Sequence, residues 1–285
     1  MCYSSMPVFG GRRQQRFGLR QVSATAGVCQ DSPVRFVLPT VGSAAIAALI
    51  SVASLAGPAG VMLVALALVI LLAAGWPQLL RLAAPAGSSV VVGACGAAAV
   101  LVVGLTAQRS LSWAHNLTWL TPVLAMSVIA AFLHQLTRTD GRAHLVESVT
   151  GVVSGIMVAA MAAGWAATAA RPGGSAVMLA VTCPMTVVAL VLALAAPGRG
   201  RRWVTPLVGV LGAVCGAVLG SGTPHVGLAY GSLAGLLVGL TLIGLYQVIP
   251  DDADWLRGTR AQVGLAASYG CAGGAIAYLI ATLVG

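Results

Sequence analysis

Long apolar runs separated by short polar segments constrain the fold of this chain more than any other feature. Of its 285 residues, 59% are hydrophobic and only 7% are charged. A soluble domain carries about 25% charged residues, so this chain needs the bilayer as a solvent for its apolar surface. The runs lack the alternating pattern of membrane barrel strands, which favours helices. The predicted fold class is therefore all-α, a polytopic transmembrane helix bundle.

The lengths of the runs match the roughly 20 residues that a helix needs to cross a bilayer. About nine spans are predicted: 36–55, 59–75, 86–107, 117–136, 146–169, 175–195, 203–219, 226–249 and 261–284. The first two are short and are joined by Gly57-Pro58, a pair typical of a tight turn. They could instead form one long kinked element, which would leave eight spans.

The basic residues predict how the spans are oriented. All fifteen are arginine, and none is lysine. With nine spans and the N-terminus inside, thirteen fall on the cytoplasmic side, and only Arg109 and Arg171 fall outside. This bias satisfies the positive-inside rule and places the C-terminus outside. Residues 1–35 are predicted to be a disordered basic cytoplasmic arm, and residues 36–285 the transmembrane helical domain.

The composition also predicts location and partners. Arginine in place of lysine, together with abundant Ala, Gly and Val, is typical of GC-rich bacterial genomes, so a multi-pass protein of the bacterial plasma membrane is expected. The net charge of +9 suits contact with membrane lipids, including anionic ones. Nucleic acid is not an expected partner, because no basic patch is interleaved with aromatic residues. A membrane-protein partner or a homo-oligomer remains open.

Glycines spaced four residues apart occur in several of the predicted spans. Such spacing lets helix backbones approach closely in lipid. We expect internal packing of the bundle from these motifs, rather than a dimer seam. They are Gly151/Gly155, Gly212/Gly216/Gly220 and Gly231/Gly235/Gly239.

Three polar segments are candidate sites on the predicted cytoplasmic face. The first joins the fourth and fifth spans and could hold a metal or a phosphate, or be a solvated loop with a helix start. It contains His134, Gln135, Arg138, Asp140, Arg142, His144 and Glu147. The second, Asp251, Asp252 and Asp254, could join Glu147 in a metal site or cap a helical turn. The third, Arg199, Arg201 and Arg202, is a lipid-headgroup candidate as well as a topological signal.

The order of features resembles the phosphatidate cytidylyltransferase family, whose members make CDP-diacylglycerol in the membrane. The likeness includes Gly75 to Leu82, Arg138 to Arg142 leading into Val149 to Val152, the turn Gly198 to Arg202, and Leu240 to Gln247. The family's lysine-containing signature and its Pro-Gly-His-Gly-Gly stretch do not carry over. The resemblance therefore implies a degenerate relative without the catalytic chemistry, and no catalytic residue is assigned. The chain also resembles multi-pass membrane proteins of actinobacteria.

These observations favour a non-enzymatic integral membrane protein, an accessory or lipid-binding component of lipid or cell-envelope metabolism. One alternative is an uncoupled transporter or flippase of a small solute or a lipid, although no charged residue lies near the middle of a span. Another is a metal-dependent phospholipid nucleotidyltransferase. No cofactor is expected, and Mg²⁺ is implied only by that last alternative.

The predicted topology can be tested at the C-terminus. A reporter fused after Gly285 should be active on the periplasmic side, because an odd number of spans separates it from a cytoplasmic N-terminus. The measurement is the ratio of a periplasmic to a cytoplasmic reporter at that site. A cytoplasmic signal would contradict nine spans.

Overall fold

The structure is a computed structural model that describes residues 34–109, 117–138, 145–194, 201–223, 225–247 and 258–285. The side chains of 34–37, 201–205 and 246–247 are outside the description. Helices fill nearly all of these ranges. They are α1 (Val34–Leu55), α2 (Pro58–Leu79), α3 (Pro85–Arg109), α4 (Leu120–Leu136), α5 (Leu145–Met161), α6 (Ala163–Ala169), α7 (Gly174–Leu194), α8 (Arg201–Ser221), α9 (Gly227–Gln247) and α10 (Thr259–Val284).

In the described ranges, seven helical segments are long and apolar enough to cross a membrane. They are Leu38–Leu55, Pro58–Leu79, Pro85–Arg109, Leu145–Ala169, Gly174–Leu194, Gly227–Leu245 and Thr259–Val284. The apolar helices Leu120–Leu136 and Pro206–Ser221 are shorter. The chain therefore has the helices of a multi-pass membrane protein. Each of the nine predicted segments is helical over most of its described residues. Nine crossings and the orientation of the termini stay predictions.

The first two predicted spans are separate helices. Between α1 and α2, Gly57 has φ 86°, a left-handed conformation that most side chains disfavour. Pro58 follows as the first residue of α2, where its missing N–H costs no helical hydrogen bond. The alternative of one long kinked helix in place of the first two spans is therefore wrong. α2 also extends beyond the predicted end at residue 75, through Trp76 and Pro77 to Leu79.

The predicted span 146–169 is interrupted at Ala162, which separates α5 from α6. The Ala162 N–H donates to the Ala159 carbonyl at 3.1 Å, and the Trp165 N–H donates to the Ala162 carbonyl at 3.2 Å. Bonds of this three-residue spacing tighten the helix locally. On the far side of the break, the Trp165 indole donates to the Gly270 carbonyl of α10 at 2.9 Å. The break accompanies close packing on α10.

α10 is the central helix of the bundle. It packs against α1, α2, α5, α6, α7 and α9, and most of its residues are buried. Glycines allow this packing, because a Cβ at Gly75 of α2 would clash with the backbone of Gly264 and the carbonyl of Arg260. A Cβ at Gly164 of α6 would likewise clash with the Gly274 carbonyl. Backbones that approach so closely gain extensive van der Waals contact, which drives helix association in lipid.

α8 and α9 form the second close pair through their glycine repeats. A Cβ at Gly216 would clash with the Gly231 carbonyl, and a Cβ at Gly235 would clash with the Gly212 carbonyl. Gly220 meets the Gly227 carbonyl in the same way. The expected internal packing of these motifs is confirmed, because the two glycine faces cover each other inside one chain.

At the C-terminal end of α10, Arg171 in the turn after α6 contacts the last turns of that helix. Arg171 donates from Nη1 to the Ala281 carbonyl at 2.8 Å. Its guanidinium also lies 5.0 Å from the centre of the Tyr278 ring, within the range of a cation–π interaction. The turn between α6 and α7 is therefore attached to the last turns of α10.

Adding a methyl group to the α8–α9 contact should destabilise the bundle. Gly235→Ala forces the two backbones apart, and overpacking of this kind costs about 1–3 kcal/mol. Gly244→Ala is a matched control in α9, because a Cβ there meets nothing within 4 Å. Thermal unfolding in detergent should show a lower Tm for Gly235→Ala and an unchanged or higher Tm for Gly244→Ala. Equal effects would contradict the packing described.

Candidate functional site at the Arg81 end

Charged and hydroxyl side chains are gathered at the end of the bundle where α2 ends and α10 begins. It comprises the α2–α3 turn, the C-terminus of α4 and the N-termini of α5 and α10, and is called here the Arg81 end. Neighbouring parts are in contact: a Cβ at Gly87 of α3 would clash with the ring of His134 in α4, and Arg138 after α4 donates to Ser148 of α5. A Cβ at Gly151 of α5 would clash with Leu82 of the turn. Arg81 and Arg138, which the sequence places in two predicted cytoplasmic segments, therefore lie at the same end.

α2 ends in a turn with the hydrogen bonds of a Schellman motif. The Leu82 N–H donates to the Pro77 carbonyl at 2.9 Å, and the Arg81 N–H donates to the Gln78 carbonyl at 3.4 Å. This motif requires a left-handed residue just after the helix, a position usually occupied by glycine. Here that residue is Arg81, with φ 53°. Among the described residues it is the only non-glycine with positive φ.

The left-handed conformation of Arg81 carries a cost. Steric conflict between Cβ and the backbone makes this conformation unfavourable by roughly 1–2 kcal/mol for an ordinary residue. Such strain persists only where the surrounding structure enforces it, and it concentrates at functional sites. Arg81 is therefore held in the left-handed conformation by its surroundings.

Packing against α5 holds the turn in place. A Cβ at Gly151 would lie 2.5 Å from Cδ2 of Leu82, so the absence of a side chain at Gly151 makes room for Leu82. One turn further, a Cβ at Gly155 would lie 2.5 Å from Nε1 of Trp76. The indole N–H donates to the Gly151 carbonyl at 2.8 Å and is buried. The Gly151/Gly155 pair thus receives two side chains from the end of α2.

A cavity of about 800 Å³ opens between this turn and the first three turns of α5. Charged and hydroxyl residues share its lining with apolar ones. The lining consists of Leu80, Arg81, Leu82, Ala83, Glu147, Ser148, Thr150, Gly151 and Ser154. Arg81 and Glu147 are both exposed, and Glu147 lies in the first turn of α5. The cavity therefore combines a cation, an anion and hydroxyl groups at an apolar edge.

The described members of the predicted polar segment mainly connect α4 to α5. Arg138 donates from Nη1 to Oε1 of Gln135 at 2.8 Å and to Oγ of Ser148 at 3.2 Å. Gln135 is 1% exposed, and its Nε2 lies 3.5 Å from Nδ1 of His134. Among the described members of this segment, only Glu147 lines the cavity. Asp140, Arg142 and His144 lie outside the described residues.

The other two predicted sites fall largely outside the description. Asp251, Asp252, Asp254 and Arg199 are not among the described residues, and Arg201 and Arg202 are described only as the first backbone residues of α8. A metal site formed by Glu147 with these aspartates stays a prediction. In the part of the chain that the structure describes, no three His, Cys, Asp or Glu residues come together as a metal site.

In the sequence, Arg81 was one of the thirteen arginines assigned to the cytoplasmic side and part of the Gly75 to Leu82 resemblance, but it was not a candidate site residue. Its side chain lines the cavity, as do Ser148, Thr150 and Ser154 of α5. A lone arginine after a helix, where glycine is usual, is the one signal that could have singled it out. The hydroxyl residues lie inside an apolar helix and gave no signal.

Comparisons of the chain with protein-family models, with curated proteins and with solved structures found no match.

Removing the guanidinium of Arg138 should loosen α4. In Arg138→Ala the buried amide oxygen of Gln135 loses its donor, and an unsatisfied buried acceptor costs about 1–3 kcal/mol. Hydrogen exchange of α4 backbone amides should be faster than in the wild type, while exchange in α10 changes little. Arg260→Ala, which removes an exposed arginine from the same end, is the control. Unchanged exchange in α4 would contradict the role given to Arg138.

Proposed function

We propose that this protein is a non-enzymatic integral membrane protein that binds a phospholipid headgroup in the cavity at the Arg81 end. It would act as a lipid-binding component of lipid or cell-envelope metabolism in the bacterial plasma membrane. The observation that carries the proposal is Arg81 itself, a strained arginine on the lining of an 800 Å³ cavity. A guanidinium binds phosphate well because its N–H groups match two phosphate oxygens at once.

The surroundings of the cavity suit a ligand that is both polar and apolar. Leu80, next to Arg81, is 43% exposed, and Val146, next to Glu147, is 74% exposed. Exposed apolar side chains beside charged ones are typical of the level where lipid headgroups meet acyl chains. A lipid could therefore place its phosphate near Arg81 while its chains stay against the apolar outer surface of the helices.

The lining of the cavity bears on whether a ligand binds there or passes through the membrane. Its residues come from the turn after α2 and the first three turns of α5. The two charged members, Arg81 and Glu147, lie at the end of the bundle, and the polar lining residues deeper along α5 carry only hydroxyl groups. A transport pathway would need polar groups that continue across the membrane, so the lining supports a lipid-binding component more than a transporter.

Arg81→Gly separates ligand binding from stability. Glycine adopts the left-handed conformation without strain, which offsets the loss of the interactions that the Arg81 side chain makes, so the free energy of unfolding should change by no more than about 1 kcal/mol. The same substitution removes the guanidinium, so the amount of phospholipid that remains bound after purification should fall several-fold. Native mass spectrometry measures the bound lipid, and thermal unfolding measures the stability.

Arg260→Gln is the control for this experiment. It removes a positive charge from the same end without touching the cavity lining, so it should retain lipid as the wild type does. If Arg81→Gly is stable and still retains as much phospholipid as wild type, the proposed function is wrong. An equal loss in Arg260→Gln would point to general surface charge instead of the cavity.

A further inference from the structure

We infer that the cavity at the Arg81 end selects a zwitterionic headgroup with a primary ammonium, of the phosphoethanolamine type. The inference rests on the proposed function and specifies its ligand class. Its basis is that a cation, Arg81, and an anion, Glu147, line the same cavity. A purely anionic headgroup would gain from the guanidinium and be repelled by the carboxylate. A zwitterion can place its phosphate toward one residue and its ammonium toward the other.

Two of the three hydroxyl groups of the lining, those of Thr150 and Ser154, add to the preference for a hydrogen-bond donor. Thr150 donates from Oγ1 to the Val146 carbonyl at 2.9 Å and to the Glu147 carbonyl at 3.0 Å. Ser154 donates from Oγ to the Gly151 carbonyl at 3.0 Å. Because each hydroxyl proton is engaged by helix backbone, the oxygen offers its lone pairs to a ligand. Toward a ligand in the cavity, Thr150 and Ser154 can therefore act as acceptors.

The carboxylate of Glu147 supplies further acceptor capacity. An ionised carboxylate has about four lone-pair sites, so it can accept from a ligand as well as from a protein neighbour. Glu147 is exposed, so its charge needs no costly burial. With Thr150 and Ser154 it provides acceptors from three residues of one helix lining the same cavity.

This set of acceptors distinguishes between ammonium groups. A primary ammonium has three N–H donors, so it can donate to Glu147 and, at the same time, to the Thr150 hydroxyl one turn further along α5. A trimethylammonium carries the same charge but has no N–H, and its methyl groups would leave those oxygens without a donor. A glycerol headgroup has hydroxyl donors but no positive charge for Glu147. The expected order of binding is therefore phosphatidylethanolamine above both phosphatidylcholine and phosphatidylglycerol.

The experiment is a competition between lipids on the purified full-length protein. The protein is exchanged into nanodiscs containing equal amounts of the three phospholipids, and the lipids that remain bound after extraction into detergent are counted by native mass spectrometry. Wild type should retain phosphatidylethanolamine about tenfold over phosphatidylcholine, the ratio that a single good charge-assisted contact provides. Equal retention of the two, with binding still lost in Arg81→Gly, would overturn the inference and leave the proposed function intact. Retention of no lipid above the Arg81→Gly level would overturn the proposed function itself.

Two variants assign the selectivity to the acceptors. Glu147→Gln and Thr150→Val should each lower the preference for phosphatidylethanolamine over phosphatidylcholine several-fold, while retention of phosphatidylglycerol stays unchanged or rises. Thr241→Val is the matched control, because Thr241 makes the same type of bond, to the Leu237 carbonyl at 2.8 Å, in another helix. An unchanged preference in Glu147→Gln would overturn the inference.

A soluble competitor separates the headgroup from the whole lipid. Glycerophosphoethanolamine carries the same phosphate and ammonium without acyl chains. At equal concentration it should displace bound lipid far less than phosphatidylethanolamine in mixed micelles does, because the chains add apolar contact with the helices. Equal displacement by the soluble compound would overturn the assignment of a lipid as the ligand.

Discussion

The close approach of helix backbones at glycine is the interaction on which the rest of this structure depends. In lipid, apolar side chains gain little by moving from acyl chains to a helix interface, so helices associate through close van der Waals contact. Here the crossing of Gly75 with Gly264 fixes α2 against the central helix α10. Gly164 and Gly274 do the same for α6. The end of α2, and with it the cavity, takes its position from these contacts.

A second set of contacts, between the end of α2 and α5, holds the cavity in place. Because α2 is fixed against α10, Trp76 and Leu82 meet the Gly151/Gly155 face of α5. Those contacts hold the helix end in a geometry that Arg81 would not choose by itself. The structure thus maintains an unfavourable backbone conformation at the one described arginine that lines the cavity. Strain at a binding residue and close packing around it are two parts of one arrangement.

The sequence predicted those features of the structure that change its composition, and it did not predict those that depend on how distant segments meet. Apolar runs predicted the positions of the helices, since hydropathy along the chain reflects the bilayer directly. The break at Ala162 left no such signal, because a local tightening within an apolar helix changes no composition. The glycine spacing predicted internal packing, but it did not show which glycines would meet. Those pairings depend on how distant segments cross, as at Gly75 and Gly264.

The candidate site was predictable only in its charged members. Glu147 was singled out from sequence and lines the cavity, whereas Arg81 was treated as a signal for topology. The hydroxyls of Thr150 and Ser154 donate to carbonyls of their own helix, which leaves their oxygens available as acceptors in the cavity lining.

The central claim is that a lipid headgroup binds in the cavity at the Arg81 end. A phosphatidylethanolamine analogue with a photoreactive group near its headgroup tests it most directly. After irradiation, peptide mapping should find the label concentrated in residues 80–83 and 147–154. Label spread evenly over the exposed apolar faces of the helices would contradict the account.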